Sequence, residues 1–499
     1  MPQSMSPTLP PAQQALLQQA INWHRGGRPD QARSLYRQIL ATIPADAQVL
    51  YLLGSAEGDL GNPDESVRLL TESLNIAPRQ PGALFNRGNA LAALGRFEAA
   101  ADSYGQAVAL HPSYVEAYCN QGAALQHVGR LEEALASYDK ALAIRPDLAE
   151  AHNNRGSILH ALNRFEEALA DYDKALAINA GHAGALNNRG NALVALGRPE
   201  EALAAYDRIL AFQPGSAEAL VNRSGLLNSL GRFEEALAGF DKALAIREGT
   251  AEVHHNRGIA LQALDRFEEA AASYDRALAL DPGFAWLRGQ ALHMRMQLAQ
   301  WAQFDEWRAG IVTGIARQEK AAVPFVIQAL VDAPDIERQC AALFSADMPS
   351  QFPAMPAVRT SRHDRIHIGY FSSDFKDHPV SHLLAGMLER HDRSRFEVTA
   401  FATAPGDDPW RARIHRAVDR FVDVSGQADP AIVAQSRALG VDIAIDLNGH
   451  TRDGRTGVFA ERAAPVQASY LGYLGTMGAG YYDYLFADAV LIPEASQPF

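Results

Sequence analysis

The sequence predicts an α-solenoid of repeated helix pairs, followed by an α/β lobe built on a Rossmann-like parallel sheet. Two observations support this prediction. One pattern of asparagine, glycine, alanine and an aromatic residue recurs every 34 residues through the first half of the chain. Later, short apolar runs alternate with amphipathic segments, which is typical of strand–helix units.

Each repeat contains an Asn-x-Gly motif, and successive asparagines are always 34 residues apart. Its asparagines are Asn86, Asn120, Asn154, Asn188, Asn222 and Asn256. A glycine follows two residues later, except at Ser224, then an alanine and an aromatic residue. We interpret each unit as a helix hairpin. The glycine allows close helix contact, the alanine fills the opposite side, and the aromatic ring plugs the gap to the next pair. With two weaker units before these six, we predict about eight repeats over residues 12–283.

The period and the Gly, Ala, Tyr and Pro pattern resemble the tetratricopeptide repeat. This resemblance implies a superhelix whose concave face is lined by the first helix of each pair. The six asparagines would form a ladder along that groove, and their amides would bind the main chain of an extended peptide. The alternative is that asparagine merely caps a neighbouring turn at this place.

Composition narrows the class of partner. The chain has 45 Lys and Arg against 58 Asp and Glu, a net charge of −13, which argues against nucleic acid and anionic membranes. Its two cysteines, Cys119 and Cys340, provide neither a disulfide framework nor a zinc site. There is no secretory leader pattern and no run of about 18 apolar residues. We therefore predict a soluble cytoplasmic protein with protein partners.

Beyond the repeats, residues 284–360 predict a helical cap containing Trp286 and Trp301, then a proline-rich linker. A separate lobe is predicted over 361–499. Its expected strands are Ile366–Phe371, Phe396–Thr403, Arg420–Val424, Asp442–Asn448 and Val466–Tyr473. Helices beginning near Pro379, Asp408 and Pro430 would connect them.

Polar residues collect where these strands end, and parallel strands place such residues at one edge of the sheet. Asp374, His378 and His382 follow the first strand, Asn448 and His450 follow the fourth, and a glycine-rich segment with Gly475 and Thr476 follows the fifth. These residue types predict a ligand cleft. The glycines could instead only make turns. A metal at Asp374, His378 and His382 is conceivable, but no further ligand of clear spacing accompanies them, so we predict none.

The segments HIGYFSSDFKDHPVSHL and DIAIDLNGHTRDGRTGVF, together with the repeats, resemble the protein O-GlcNAc transferases and SPINDLY-type O-fucosyltransferases, particularly bacterial ones. The resemblance implies a two-lobed GT-B glycosyltransferase that binds a nucleotide-sugar between its lobes and the acceptor Ser or Thr peptide in the repeat groove. It implies catalytic or positioning roles for His378 and Asp374, with Gly475 and Thr476 near the sugar. Leu474, Val380 and Met477 depart from common family residues. The group that takes the acceptor proton stays open.

The resemblance favours transfer of GlcNAc from UDP-GlcNAc to protein, with His382, Asn448 and His450 as donor-binding residues and no other cofactor. Two alternatives stay open: transfer of fucose from GDP-fucose, and a repeat scaffold whose lobe is catalytically incomplete. The family's second lobe would follow Phe499, where the sequence ends. We therefore expect this chain alone to fold without turning over nucleotide-sugar.

Overall fold

The computed structural model describes residues 9–347, 364–451, 453–473 and 477–486. The chain divides into two compact units, residues 1–247 and 248–499, which are described in turn. The proline-rich segment of the predicted linker, 349–358, lies outside the described residues. None of the helices in the described ranges is long and apolar enough to cross a membrane.

The first unit consists of antiparallel helix pairs in sequence order. Each turn between paired helices needs a left-handed residue, which is Gly95 (φ 70°) in one pair and Asn163 (φ 58°) in another. The helices are α1 Pro11–Arg25, α2 Pro29–Thr42, α3 Ala47–Asp59, α4 Pro63–Ile76, α5 Pro81–Ala93, α6 Phe97–Leu110, α7 Val115–His127, α8 Leu131–Ile144, α9 Ala149–Ala161, α10 Phe165–Ile178, α11 Ala183–Ala195, α12 Pro199–Phe212, α13 Ala217–Ser229 and α14 Phe233–Ile246.

The repeat glycine and the repeat aromatic residue contact each other inside one pair. A Cβ placed on Gly88 would lie 2.5 Å from a ring atom of Tyr104, and one on Gly156 would lie 2.6 Å from Tyr172. Both rings are almost fully buried. The ring therefore occupies the space that the missing glycine side chain leaves in its own pair. Tyr104 also hydrogen-bonds Asn120 of the next pair, so the ring's filling of the gap to that pair stays a prediction.

In one repeat the close contact between the two helices is made by different residues. Ser224 stands where the other units have glycine, and the facing helix carries Gly239 where other repeats have Ser103, Ser137 or Ala205. A Cβ on Gly239 would lie only 2.0 Å from Oγ of Ser224. In this repeat the larger residue lies on the first helix and the glycine on the second, the reverse of the other repeats. The contact between the two helices stays close.

The second unit begins with another helix pair, α15 Ala251–Ala263 and α16 Phe267–Leu280. Four helices follow: α17 Leu287–Gln297, α18 Phe304–Ala316, α19 Pro324–Leu330 and α20 Pro334–Ala346. They share an apolar core that includes Leu292, Ile315 and Ile327. Because this division of the chain differs from the predicted domains, the boundaries at 283 and 361 stay predictions.

The lobe is a parallel sheet in the order β3-β2-β1-β4-β5-β6. The strands are β1 Ile366–Ser372, β2 Phe396–Ala402, β3 Arg420–Asp423, β4 Ile443–Asp446, β5 Val466–Tyr470 and β6 Tyr484–Phe486. The connecting helices are α21 Pro379–Glu389, α22 Pro409–Ala417, α23 Asp429–Ala438 and α24 Thr456–Ala460. The five predicted strands are present, and β6 is an addition.

The strand order reverses between β1 and β4, which are neighbours in the sheet. Phe371 of β1 pairs with Asp446 of β4, so both strands end at the same level. In open α/β sheets this switch point, at the carboxyl ends of the strands, is where ligands bind. The residues that follow β1 and β4 therefore form the candidate site.

Candidate functional site

An asparagine side chain joins the two strand ends at the switch point. Nδ2 of Asn448 donates to Oδ2 of Asp374 at 2.7 Å and to Oγ of Ser373 at 2.9 Å. Its Oδ1 accepts from the backbone nitrogen of Ser373 at 2.8 Å. Asn448 is buried, and these bonds fix its amide in one orientation. The structure thus brings together Asp374 and Asn448, two of the predicted site residues.

His378 lies beside this pair at the start of α21. Pro379 suits the first helical position, and Nδ1 of His378 accepts from the backbone nitrogen of Val380 at 3.3 Å. The same Nδ1 lies 3.6 Å from Oδ2 of Asp374. Because Nδ1 accepts a hydrogen bond, the neutral ring carries its proton on Nε2. The ring is 39% exposed, so this N–H group can reach a ligand.

His382 makes different contacts. Its Nε2 lies 2.7 Å from Oδ1 of Asp377, and its ring lies 4.0 Å from the ring of Trp410. The imidazole of His382 is therefore held against α22 and not against the carboxylate of Asp374. A donor-binding role for His382 stays a prediction.

His450, two residues after Asn448, is buried between aromatic rings. The rings of Phe344 and Tyr473 each meet it edge-on with centroids 5.3 Å away. Its Nε2 lies 2.8 Å from the carbonyl oxygen of Met477. Burial lowers the pKa of His450, which favours the neutral ring. Gly475 and Thr476, also predicted to lie here, fall outside the described residues.

Asp446, the last residue of β4, holds the loop that carries Asn448, and the sequence analysis missed it. Its Oδ1 accepts from the backbone nitrogens of Asn448 at 2.9 Å and Gly449 at 3.0 Å. Its Oδ2 accepts a short hydrogen bond from the hydroxyl of Tyr482. Burial raises the pKa of the Asp446 carboxyl and also that of Tyr482. The sequence did hold a sign of this role, because Asp446 is an acidic residue at the end of an apolar strand. A carboxylate buried there needs hydrogen-bond partners.

The ladder asparagines of the first unit are linked between neighbouring repeats. Nδ2 of four of them donates to a side chain 31 or 35 residues earlier in the chain. These bonds are Asn86 to Ser55 at 2.7 Å, Asn120 to Asn89 at 3.0 Å, Asn188 to Asn153 at 3.0 Å and Asn222 to Asn187 at 2.8 Å. Oδ1 of Asn154 accepts from Asn153 within its own helix. Each donated bond leaves the amide carbonyl as the acceptor that a peptide N–H group could reach.

No group of three or more His, Cys, Asp or Glu side chains that could hold a metal ion occurs in the described ranges. Asp374, His378 and Asn448 can instead offer a carboxylate, an imidazole and an amide to an organic substrate. Such groups are suited to orient a hydroxyl group and to manage its proton.

Comparison with known proteins agrees with this arrangement of repeats and lobe. Residues 347–497 match the model of glycosyl transferase family 41. Tetratricopeptide repeat models match residues 24–83, 88–129, 128–163, 149–182, 183–216 and 215–282.

Similar proteins carry related names. A probable UDP-N-acetylglucosamine–peptide N-acetylglucosaminyltransferase SEC of Arabidopsis thaliana is 40% identical over 147 residues, 29% of this chain and 15% of that protein. The corresponding Caenorhabditis elegans transferase is 41% identical over 131 residues, 26% of this chain and 11% of its own length. The structure of a mutant Thermobaculum terrenum O-GlcNAc transferase is 27% identical, with a TM-score of 0.41, over 64% of this chain and 56% of that one.

SPINDLY of Arabidopsis thaliana is also similar, with 31% identity over 132 residues, 26% of this chain and 14% of that protein. The chain therefore spans a minor part of the curated relatives it matches. A family 41 glycosyl transferase region follows the repeats. The chain thus combines tetratricopeptide repeats with a glycosyl transferase family 41 region at residues 347–497, and it is homologous to O-GlcNAc transferase and SPINDLY proteins.

Proposed function

We propose that the protein transfers GlcNAc from UDP-GlcNAc to Ser or Thr hydroxyl groups of polypeptides bound by its repeats. The observation that carries this proposal is the cluster of Asp374, Asn448 and His378 at the switch point of a family 41 lobe. The names of similar transferases support the choice of donor.

In such a transfer the acceptor oxygen bonds to the anomeric carbon of the sugar, and the bond from that carbon to the diphosphate breaks. The diphosphate leaves with the electron pair of the broken bond and takes up the hydroxyl proton, directly or through water. The reacting atoms must be held in line. In this proposal, His378 presents its Nε2–H group to a substrate oxygen, and Asp374 provides the nearby negative charge. Asn448 positions Asp374 and does not itself react. Gly475 and Thr476 are proposed near the sugar.

The acceptor polypeptide is proposed to lie along the asparagine ladder, whose carbonyl oxygens would accept from its backbone N–H groups. A cavity of about 260 Å³ at Asn86, lined also by Ser55 and Asn89, could hold one side chain of such a polypeptide. The proposal needs no cofactor besides the donor. A cytoplasmic location completes it and rests on the two unpaired cysteines, Cys119 and Cys340.

The proposal is tested by incubating the protein, expressed from its complete gene, with an acceptor protein and either UDP-GlcNAc or GDP-fucose. Mass spectrometry should detect added N-acetylhexosamine on Ser or Thr with UDP-GlcNAc only, and Asp374→Asn should reduce it strongly. Addition of deoxyhexose from GDP-fucose would assign the other donor. Peptide binding without any added mass would contradict the proposal and favour a scaffold.

A further inference from the structure

A cavity of about 520 Å³ opens in the first unit and is lined by residues of α8, α9 and α10. Leu142 and Ile178 give it apolar walls, and Arg155 and Lys174 bring positive charge. Its volume lies in the range of about 300–1,000 Å³ that is typical of ligand pockets. None of the six ladder asparagines, all of which lie within the described residues, lines it. The ladder therefore does not account for this cavity.

The carboxylates at this cavity are already paired with cations. Nε and Nη2 of Arg155 donate to the buried Asp171 at 2.6 and 2.7 Å, and its Nη1 donates to Asp139. Nζ of Lys174 lies 3.9 Å from Asp171, and 59% of the lysine side chain is exposed. Two positive side chains thus balance two negative ones before any ligand binds, and Lys174 still has donors that face solvent.

The pairing of an arginine with an aspartate of the preceding repeat recurs along the array. The pairs are Arg155 with Asp139, Arg189 with Asp173 and Arg223 with Asp207. An exposed basic residue directly follows each of these aspartates, and α14 carries one at the same place. These four basic residues are Lys140, Lys174, Arg208 and Lys242. Because the aspartates are paired with arginines, the four bases give this part of the array a positive surplus, although the whole chain has a net charge of −13.

An exposed apolar side chain lies four residues after each of these bases, on the same side of its helix. The four apolar residues are Ile144, Ile178, Phe212 and Ile246, and each is between 43% and 49% exposed. A single exposed apolar residue needs no explanation, but one at the same place in four successive repeats forms a patch. We call these four bases and four apolar residues the basic–apolar row. It begins at α8, because α4 and α6 carry Glu72 and Gln106 at the position of the bases.

We propose that the basic–apolar row is a docking site for an acidic segment of a partner protein. Carboxylates of that segment pair with the four bases, and one of its apolar side chains enters the cavity beside Leu142 and Ile178. The surplus of positive charge selects the acidic partner, and the repeated apolar residues select a segment that also carries apolar side chains. This inference goes beyond the proposed function, because it involves neither the sugar donor nor the asparagine ladder.

The test measures binding of a labelled, blocked peptide of repeated Glu-Glu-Leu to the full-length protein by fluorescence anisotropy. This peptide should bind, and added salt should weaken it because surface charges are screened. Peptides of repeated Lys-Lys-Leu and of repeated Glu-Glu-Ser should bind about tenfold more weakly or worse, since each lacks one of the two features. No binding of the Glu-Glu-Leu peptide, or equal binding of all three, would overturn the inference.

The double variant Lys140→Glu and Lys174→Glu should weaken the Glu-Glu-Leu peptide by about tenfold, because two attractions become repulsions. Its matched control is Arg317→Glu with Arg338→Glu, which changes the net charge equally at exposed residues of the second unit. Equal losses in the two double variants would show only an effect of net charge and would refute the docking site.

The variant Ile178→Ser removes apolar surface without changing charge, and it should weaken the same peptide by about threefold to tenfold. Ile76→Ser is the matched control, because Ile76 is exposed at the same repeat position of α4 but follows Glu72 and not a base. Both isoleucines are about half exposed, so both variants should stay folded. An Ile178→Ser protein that binds as well as the control would contradict the apolar part of the proposal.

Two further measurements identify the occupant. The variant Asn154→Ala, Asn188→Ala and Asn222→Ala should bind the Glu-Glu-Leu peptide as the wild type does, and a loss would place this peptide on the ladder and overturn the inference. Sedimentation should give the wild type and the Lys140→Glu, Lys174→Glu variant the same mass. A wild-type dimer that this variant dissociates would mean that a second copy of the chain covers the row. None of these measurements needs sugar transfer, so a failure of the proposed function would leave their outcome unchanged.

Discussion

The amide of Asn448 donates a 2.7 Å hydrogen bond to the carboxylate of Asp374, across 74 residues of sequence. The two residues follow β4 and β1, which are neighbours only because the strand order reverses between them. The bond therefore links the orientation of the proposed catalytic carboxylate to a side chain that also hydrogen-bonds Ser373, the residue directly after β1.

Replacing Asn448 with Ala should lower kcat for sugar transfer by about tenfold or more, because Asp374 loses the donor that orients it. Asn448→Asp should be worse, since two carboxylates would then face each other. Steady-state kinetics with UDP-GlcNAc and an acceptor protein, beside thermal unfolding of each variant, measures this. A folded Asn448→Ala enzyme with the wild-type kcat would show that the bond does not matter for turnover.

His378→Ala should lower turnover by about 100-fold or more, as is typical when a positioned acid, base or donor is lost. The array and sheet should remain folded, because the ring is 39% exposed and its removal leaves no large cavity. Far-UV circular dichroism and kinetics of His378→Ala, with His415→Ala as the control, test this. Near-normal turnover would mean that the imidazole serves only as the helix cap.

Asp446 should make the stability of the lobe depend on pH. Burial raises the pKa of its carboxyl above the ordinary value for an aspartate, so the folded protein holds this proton more tightly than the unfolded chain does. The stabilisation is therefore complete below the unfolded pKa and is lost as pH rises through the folded pKa.

As pH rises from the unfolded to the folded pKa of Asp446, the free energy of unfolding of the wild type should fall relative to that of Asp446→Asn, whose amide does not titrate. Urea unfolding of both proteins across the pH range measures the difference. Parallel curves would show that Asp446 does not titrate with an elevated pKa. Asp446→Leu, which leaves the Asn448 and Gly449 N–H groups without an acceptor, should cost about 2–4 kcal/mol.

The triple variant Asn154→Ala, Asn188→Ala and Asn222→Ala should weaken binding of many unrelated peptides to a similar degree, because main-chain contacts do not depend on peptide sequence. Fluorescence anisotropy with a panel of peptides measures this. Gln213→Ala is the control, since Gln213 is exposed after α12 and lies outside the ladder. Unchanged binding by the triple variant would assign the ladder a purely inter-repeat role.

Gly239→Ser should destabilise the repeat array by about 1–3 kcal/mol, because its new side chain would overlap Oγ of Ser224. Adding Ser224→Gly should restore most of that stability, since the pair would then match the other repeats. Thermal unfolding of the two single variants and the double variant gives the coupling. Additive losses would indicate that the two positions do not contact each other as described.

The sequence predicted those features that its local pattern encodes. A fixed 34-residue period allowed the helix pairs to be predicted, and apolar runs allowed the strands to be predicted, because both patterns repeat along the chain itself. Asp374 and Asn448 were also predicted to meet, because they follow strands of one parallel sheet. The short β6 escaped notice because its three residues carry almost no periodic signal.

Features that depend on distant partners were missed or misplaced. The bond from Tyr482 to Asp446 joins residues 36 apart whose contact no spacing rule anticipates. His382 looked equivalent to His378 in sequence, yet the ring of Trp410 from another helix holds it elsewhere. The contact of each repeat ring with the glycine of its own pair was missed for the same reason, since sequence spacing alone does not say which neighbour a side chain faces.

The matched exchange of Ser224 and Gly239 bears on how such an array can change over evolutionary time. A gene can lose or gain one 34-residue period by deletion or duplication. The remaining helices stay compatible only if the breakpoints do not fall between the positions of residues 224 and 239 in a hairpin. A crossover between residues 224 and 239 would join a serine to a serine, or a glycine to a glycine. The first product would be overcrowded and the second underpacked. The helix hairpin, and not the single helix, is therefore the unit that this chain can gain or lose.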